Sequence, residues 1–337
     1  MRAAIGLKHL FLFLALASTN ITPSAFAQAR PDSCVAAHYK IVPLPFHPVR
    51  INNSGVIAGT TEDHQPATWT EKDGLHEIEL PAGFSSAEPS GINRGGNLVG
   101  TATHEGSNQL SAFQYSQSKF AWLDEDHSKA SAINDAGDVA GQSSERLVVW
   151  RKQKALPLGG CCGGIAHAIN NHGQVVGQVN DKEGRYGAFL WDVTHGLSSI
   201  APPGAARSTA LSINEAGHVL LQAFTPNAVF LRRSGKMIPV HLSQEFASQP
   251  LALNNCDFIV GEFGAASDFN HAFLWDQKHG FRDLNKLADV GTDWILESAL
   301  DINDRGEIIG IGDRGSNQDV GFLLVPQKES RAPTGAK

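Results

Sequence analysis

The stretch Ile51-Asn52-Asn53-Ser54-Gly55-Val56-Ile57-Ala58-Gly59 decides the fold, because its pattern recurs along the whole chain. Each copy has an apolar residue, an Asn, two variable residues, a turn residue and a short apolar run that usually closes on Gly. Successive Asn residues are 41, 41, 36, 44, 40 and 49 positions apart. A repeat of this length indicates an array of small supersecondary units. The six further copies begin at Ile92-Asn93, Ile133-Asn134, Ile169-Asn170, Ile213-Asn214, Leu253-Asn254 and Ile302-Asn303.

Each unit contains four short apolar segments separated by turns. The Asn phrase is followed by an aromatic phrase such as Gly187-Ala188-Phe189-Leu190-Trp191, then by a polar turn and a short strand such as Lys236–Val240. No segment shows a sustained helical period, and the strand-sized runs are bounded by Gly and polar residues. Four-stranded units of this length are the size of a propeller blade. The sequence therefore predicts an all-β, seven-bladed β-propeller.

The two ends of the array predict how the ring closes. The seventh unit has three strands before the polar residues near the C-terminus, so its fourth strand is missing. An additional strand, His38–Leu44, precedes the first unit. We expect this N-terminal strand to complete the last blade, which would leave no blade with an unpaired edge where the ends meet.

The repeated residues themselves fit a structural role. An Asn at a strand end can accept backbone N–H bonds from the following turn, and Gly four places after the Ile suits a positive φ. Small residues before each Ile-Asn predict that this strand lies innermost, and the aromatic residues of the third strand are expected to pack between blades. Two alternatives are a ring of Asn side chains that lines a channel or holds ions, and an aromatic platform for sugars.

The N-terminus has the features of a cleaved targeting segment. Arg2 and Lys8 precede the apolar run Leu10–Ala17, and Ala25-Phe26-Ala27 supplies small residues where a signal peptidase cuts. The run is too short for a spanning helix. We therefore expect a periplasmic or secreted protein. The predicted segments are a signal peptide at 1–27, a linker at 28–37, one propeller domain at 38–326 and a disordered tail at 327–337.

Charge argues against nucleic acid or an anionic lipid surface as a partner. The formal net charge is −7, and the two cations of the signal peptide leave with it. An acidic chain lacks the positive surface that nucleic acid binding requires. The partner is instead expected to be an extracellular protein, glycan or small molecule.

The cysteines suggest disulfides, which an extracytoplasmic compartment permits. Cys34 precedes the closing strand and Cys256 lies in the first hairpin of blade six, on the same predicted face of the propeller, so that a Cys34–Cys256 bond would hold the closing strand to its neighbour. Cys161 and Cys162 are adjacent in sequence on the opposite predicted face. They could form a vicinal disulfide, bind a soft metal or remain thiols.

The repeat resembles the bacterial extracellular HAF repeat family, named after a tripeptide that stands here as His271-Ala272-Phe273. The Ile-Asn-x-x-Gly phrase followed by an Ala-Phe-x-Trp phrase covers residues 48–325. The resemblance implies an extracellular location and a propeller-like fold, and it implies no reaction. The chain departs from the pattern at Cys256-Asp257, where Gly is usual, and at Leu221, which replaces a closing Gly.

Recognised catalytic motifs are absent, so the functional residues are sought in the loops that do not repeat. Acidic residues and His in these loops could hold a divalent cation; the sequence otherwise predicts no cofactor. We expect a non-catalytic binding or interaction scaffold, with a metal-dependent hydrolase or lactonase-like propeller enzyme, its site in the axial pocket, as the alternative. The candidate ligand-binding residues are Asp63, His64, His104, Glu105, Asp124, Asp126, His127, Arg185, Asp268, His271, Asp313 and Arg314.

Overall fold

The computed structural model describes residues 38–124, 127–160, 162–243, 246–265, 268–291 and 293–327. These residues form seven four-stranded antiparallel sheets, so the predicted seven-bladed propeller is confirmed. The predicted signal peptide, the linker, Cys34, Cys161, Asp126 and all of the predicted tail except Gln327 lie outside the described residues. Within the described ranges, no helix has the length and apolar character needed to cross a bilayer.

Each blade is a meander in which four strands pair in chain order from the first to the fourth. The first strands are β2 (His47–Ile51), β6 (Phe84–Ile92), β10 (Ser128–Ile133), β14 (Gly164–Ile169), β18 (Ser208–Ile213), β22 (Ala247–Leu253) and β26 (Trp294–Ile302). The second strands are β3 (Ile57–Thr60), β7 (Leu98–His104), β11 (Val139–Ser143), β15 (Val175–Asn180), β19 (Val219–Phe224), β23 (Ile259–Ala265) and β27 (Ile308–Arg314).

The outer half of each blade carries the aromatic phrase and the edge strand. The third strands are β4 (Pro66–Thr70), β8 (Leu110–Ser116), β12 (Arg146–Arg151), β16 (Tyr186–Asp192), β20 (Asn227–Arg233), β24 (Asp268–Asp276) and β28 (Asn317–Gln327). The fourth strands are β5 (Gly74–Glu77), β9 (Lys119–Asp124), β13 (Lys154–Pro157), β17 (Gly196–Ser199), β21 (Lys236–Val240), β25 (Gly280–Asp283) and, in blade seven, β1 (His38–Pro43). A 3-10 turn, Leu284–Lys286, links blades six and seven.

The first strands surround the propeller axis, as the small residues before each Asn predict. Each first strand contacts the first strands of the two adjacent blades, and these contacts run around the complete ring. Ala, Gly and Ser dominate the ends of these strands because the seven first strands converge there and leave little room for large side chains. The first strand is therefore the innermost strand of every blade.

The seven repeated Asn residues form a closed ring of hydrogen bonds. The side-chain Nδ2 of each Asn donates to the backbone carbonyl of the repeated Asn in the next blade, over distances of 2.8–3.2 Å. The bond from Asn303 to Asn52 O, at 3.0 Å, completes the circle between the last blade and the first. All seven side chains are buried and bonded, so the alternative in which they hold ions is not supported.

The other end of each Asn amide shapes its own turn. Asn52 Oδ1 accepts the backbone N–H groups of Ser54 and Val56, both at 2.9 Å. The turn requires a positive φ at its third position after Asn, which Gly55 adopts at 83°. Blade six has Asp257 at this position with φ 59°, and its carboxylate binds Arg233 at 2.7 Å and His218 at 2.9 Å. At this departure from the repeat, Asp257 stands where other blades have Gly, and its carboxylate connects blade six to blade five.

The N-terminal strand closes the ring, as predicted. Strand β1 pairs with β28 from His38↔Gln327 to Pro43↔Phe322. Its other side is also tied down, because Tyr39 N donates to Leu287 O at 2.8 Å and Asp289 N donates to Tyr39 O at 3.1 Å. Both edges of the closing strand therefore make backbone bonds, which protects it from fraying.

Hydrophobic clusters between blades form the core. Trp69 packs with residues of blade seven, Trp150 with blade two, Trp191 with blade three and Trp275 with blade five. These third-strand aromatics are almost fully buried. The prediction that they pack between blades is confirmed, and the sugar-platform alternative has no exposed stripe of these residues to support it.

The two faces of the propeller differ in what they carry. We name the face with the Asn turns and the turns between third and fourth strands the hairpin face. The opposite face carries the connections between second and third strands and the links between blades, and we name it the loop face. Cys256 lies on the hairpin face, in the Asn turn of blade six, and Cys162 lies on the loop face, immediately before β14. The two predicted cysteine pairings stay predictions because Cys34 and Cys161 are outside the described residues.

Candidate functional site

The axial channel is built from one irregularity that occurs in every blade. In every blade the pairing between the first and second strands shifts register at the same place, which marks a β-bulge. The bulge lies two residues before the Ile or Leu that precedes the repeated Asn. A bulge leaves one residue unpaired and changes the direction of the neighbouring side chains. The bulged residues are Val49, Ser90, Ser131, His167, Leu211, Leu251 and Leu300.

Three ionisable side chains interrupt a series of otherwise uncharged residues at and after the bulges. The position after the bulge is occupied by Arg50, Gly91, Ala132, Ala168, Ser212, Ala252 and Asp301 in blade order. Five of these seven positions thus hold Gly, Ala or Ser. Arg50, Asp301 and the bulged His167 are each partly accessible on the innermost strands, and the positive charge of Arg50 acts on both of the other groups. These three residues form the candidate site.

Backbone contacts fix Asp301 and Arg50. Asp301 Oδ2 accepts the backbone N–H of Ile51 in the adjacent blade at 3.0 Å, and Oδ1 accepts that of Ile302 at 2.9 Å. Arg50 Nη1 donates to Val49 O at 2.8 Å. Burial raises the pKa of the Asp301 carboxyl, and the positive charge of Arg50 and the two backbone N–H groups act in the opposite direction. The site therefore places a carboxyl group and a guanidinium on neighbouring blades.

His167 approaches the same space from blade four. Burial and, as the smaller cause, the positive charge of Arg50 together lower the pKa of its imidazole to about 4. Arg50 belongs to blade one, so this interaction acts across the channel. The imidazole is consequently neutral at pH 7 and can act as either a hydrogen-bond donor or an acceptor.

The depressed pKa of His167 predicts an acid-sensitive fold. Between pH 6.5 and about 4 the unfolded chain binds a proton at this His and the folded protein does not, so stability is complete above pH 6.5 and falls as the pH drops through this window. We expect wild-type protein to lose about 2–3 kcal/mol more of its free energy of unfolding between pH 7 and 4.5 than His167→Gln does. Urea titrations of both proteins at the two pH values measure this; equal losses would contradict it.

A second polar ring surrounds the axis at the hairpin face. In six of the seven blade junctions, the backbone N–H of the residue after the repeated Asn donates to the side chain at the same position of the next blade. The ring is broken between blades one and two because Arg94 has no acceptor. Burial raises the pKa of Glu215 in this ring, and nearby Asp135 and Asp304 add to the effect. Hydrogen bonds within the ring account for its carboxylates, so we assign it no ligand.

The loop face carries an arc of exposed apolar side chains. Four residues on the consecutive blades four to seven, each 40–45% exposed, form what we name the apolar arc: Ile165, Phe224, Phe246 and Ile295. Aromatic neighbours support it, since Phe224 contacts Tyr186 edge to face at 5.7 Å and Phe246 lies 6.0 Å from Phe263 between ring centroids. On the hairpin face, the described residues include one exposed large apolar side chain, Val193.

The blade-seven end of the apolar arc is acidic. Ile295 pairs with Asp313, and Glu297 follows two positions along the same strand. Burial raises the pKa of Glu297, and the negative charges of Asp313 and Asp319 raise it further. Apolar and negative groups therefore lie side by side at this part of the loop face.

The predicted loop residues do not converge on one site. Asp63 and His64 occupy an exposed turn, and Arg185 binds its own loop through Asp181 at 2.8 Å and Glu183 at 3.1 Å. His127, also exposed, lies on the link between blades two and three. Among the described residues, no group of three His, Cys, Asp or Glu side chains is arranged to hold a metal ion.

Other predicted residues have local roles. His104 binds Ser111 Oγ at 2.8 Å and packs on Phe84, while Glu105 N bonds to the backbone of Gly83. Asp124 accepts a bond from Ser143 across blades two and three. The remaining members lie at the blade-six and blade-seven edge of the loop face.

At that edge, His271 lies 3.6 Å from Asp283 and meets Phe263 edge to face. Arg314 stacks over Trp294, 5.5 Å from the ring centre. Asp313 borders the apolar arc, as described above. Asp268 is in strand β24, and its side chain is outside what the structure describes.

The channel residues were missed by the sequence prediction, although a signal for them exists. Arg50 and Asp301 occupy the position immediately before the repeated Ile, where five other units have a small residue. When the seven units are aligned on their repeated Asn, Arg50 and Asp301 are the two charged residues at that position. The loops carry more charges than the first strands, but exposed charges of this kind are common on any protein surface and indicate no site by themselves.

Comparisons with solved structures match the fold. Virginiamycin B lyase from Staphylococcus aureus aligns with a TM-score of 0.57 at 11% identity, covering 85% of this chain and 98% of the lyase. YCF48 bound to D1 peptide aligns with a TM-score of 0.56 at 10% identity, covering 88% and 97%. The WD40 propeller domain of Doa1 aligns with a TM-score of 0.50 at 12% identity, covering 86% and 94%.

At these identities the comparisons establish the propeller fold alone. No family model matches the chain, and no curated protein matches it significantly. The resemblance to the HAF repeat family therefore stays a prediction from the repeat phrases.

Proposed function

We propose that this protein is a non-catalytic binding scaffold of the extracytoplasmic space, and that a protein or peptide partner docks on its loop face. The observation that carries the proposal is the apolar arc. Large apolar side chains on four consecutive blades of one face are each 40–45% exposed, and apolar side chains gathered on one face support an interaction site there. The signal-peptide pattern of residues 1–27 supports the compartment.

The chemistry of the face defines the partner. Phe224, Phe246 and Ile295 offer anchors for large apolar side chains, and aromatic anchors supply most of the affinity in many interfaces. The carboxylates beside Ile295 favour cationic residues in the part of the partner that reaches blade seven. An extended or amphipathic segment with both residue types fits this face. The metal-dependent hydrolase alternative is not proposed, because no observation among the described residues favours it.

Peptide display tests the proposal with a matched control. Peptides enriched from a random library on the wild-type protein are expected to bind Phe224→Ser/Phe246→Ser at least 10-fold more weakly, since losing one apolar anchor costs about 1–2 kcal/mol. Val193→Ser removes an exposed apolar residue from the hairpin face and is expected to bind like wild type. The proposal fails if no peptide is enriched or if the enriched peptides bind the double variant normally. Thermal melts establish that both variants remain folded.

A further inference from the structure

The charged residues of the axial channel occupy positions where the fold requires only small side chains. Five blades form the same bulge and the same register with Gly, Ala or Ser after it, so blade formation does not depend on Arg50 or Asp301. Moving a charged group out of water costs free energy unless the protein or a ligand compensates it. Residues that break a repeat at such a cost are candidates for recognition.

Arg50 and Asp301 lie on adjacent blades without forming an ion pair with each other. No ion pair within 4.0 Å joins them, although both residues are among those described. Asp301 is fixed by Ile51 N and Ile302 N, and each of its oxygens has a further lone pair available. The guanidinium donors of Arg50 beyond Nη1 have no partner among the described residues. The guanidinium and the carboxyl group thus lie on adjacent innermost strands, and both have hydrogen-bonding capacity left over.

We propose that the axial channel binds a small zwitterion, with Arg50 holding its carboxylate and Asp301 holding its ammonium group. Arg–carboxylate contacts are charge-assisted and can be bidentate, which makes them strong and directional. A simple anion would gain from Arg50 and lose to Asp301, and a simple cation would meet the reverse. A ligand that carries both charges gains from both residues.

His167 contributes a third contact from across the channel. Its imidazole has no hydrogen-bond partner among the described residues, and it is neutral at pH 7. It can therefore hydrogen-bond a ligand already held by Arg50 and Asp301 without changing the charge balance of the site. This site lies on the axis, away from the apolar arc, and is independent of docking on the loop face.

Calorimetric titration of the mature protein with three amino acids of increasing charge separation tests the site. Glycine, β-alanine and γ-aminobutyrate are the zwitterions, and acetate and methylammonium are the half-ligands. We expect one of the three zwitterions to bind at least 10-fold more tightly than either half-ligand, because a fixed pair of charges selects one separation. The inference is overturned if no zwitterion binds more tightly than the half-ligands.

Substitutions then locate the binding. Arg50→Gln and Asp301→Asn are each expected to weaken the preferred zwitterion at least 10-fold, and Arg50→Lys to retain part of the affinity. Arg94→Gln, a matched change at the hairpin face, is expected to bind like wild type. Because Asp301→Asn also alters a link between blades, the decision rests on Arg50→Gln if melting shows Asp301→Asn to be unfolded. Normal binding by Arg50→Gln would contradict the assignment.

Discussion

Replacing Asn52 by Ala is expected to lower the free energy of unfolding by about 2–4 kcal/mol, because one side chain makes bonds in two directions. The substitution removes the acceptor for Ser54 N and Val56 N, and of the two donors to the Asn93 carbonyl it removes the one at 2.8 Å and leaves Gly96 N. Backbone groups that lose hydrogen bonds in a buried turn still bear the cost of leaving water. Urea denaturation measures the loss.

Asn52→Asp separates the two roles of this residue. Asp serves as well as Asn in accepting turn N–H groups, so a residue that only shaped the turn would tolerate the change. In the closed ring the new carboxylate would face the carbonyl of Asn93, and both groups are acceptors. We therefore expect Asn52→Asp to lose about 2–4 kcal/mol as well. Arg94→Ala, an exposed position in the equivalent turn of blade two with no side-chain hydrogen bond among the described residues, serves as the control. A tolerated Asn52→Asp would contradict a role for the ring in stability.

The second large effect is expected at Tyr39 in the closing strand. This side chain is completely buried among residues of blades six and seven, including Leu274 and Phe322. Tyr39→Ala should cost about 3–5 kcal/mol, since it removes a large aromatic group from a packed core. It should also loosen the strand on which ring closure depends. Lys40→Ala, at the next and exposed position, should have little effect.

Tyr39→Phe makes this prediction specific to packing. The Tyr39 hydroxyl is buried and has no hydrogen-bond partner among the described residues. Its removal should leave stability within about 1 kcal/mol of wild type or raise it, because a buried hydroxyl without a partner is unfavourable. A loss with Tyr39→Phe as large as with Tyr39→Ala would show that the hydroxyl, and not the ring, supports closure. Urea or thermal denaturation of the two variants decides between these outcomes.

The fold could be predicted from the sequence because the same set of local interactions recurs in seven units along the chain. Each Asn accepts turn N–H groups, each Gly or Asp257 supplies a positive φ, and each aromatic phrase supplies the packing between blades. Seven copies fixed the blade number, and the incomplete last unit identified His38–Leu44 as its missing strand. None of these steps requires knowledge of which distant residues meet, apart from the closure.

The site could not be predicted in the same way. Arg50, His167 and Asp301 belong to blades one, four and seven, and they come near one another only because the ring closes around an axis. The loop candidates looked more promising in sequence, but each of the blades places its loops at a separate part of the rim. Charge density along the chain carries no information about convergence in space.

The sequence alone determined the strand order, the seven units and the strand that completes the last one, because these follow from hydrogen bonds and turns between residues close in the chain. Only the tertiary structure decided that the NH2 group of each repeated Asn donates to the next blade. It also decided where the charged residues that depart from the repeat lie and which apolar residues stay exposed. Those properties arise from contacts between blades and across the axis. They exist only once the first and last blades are joined.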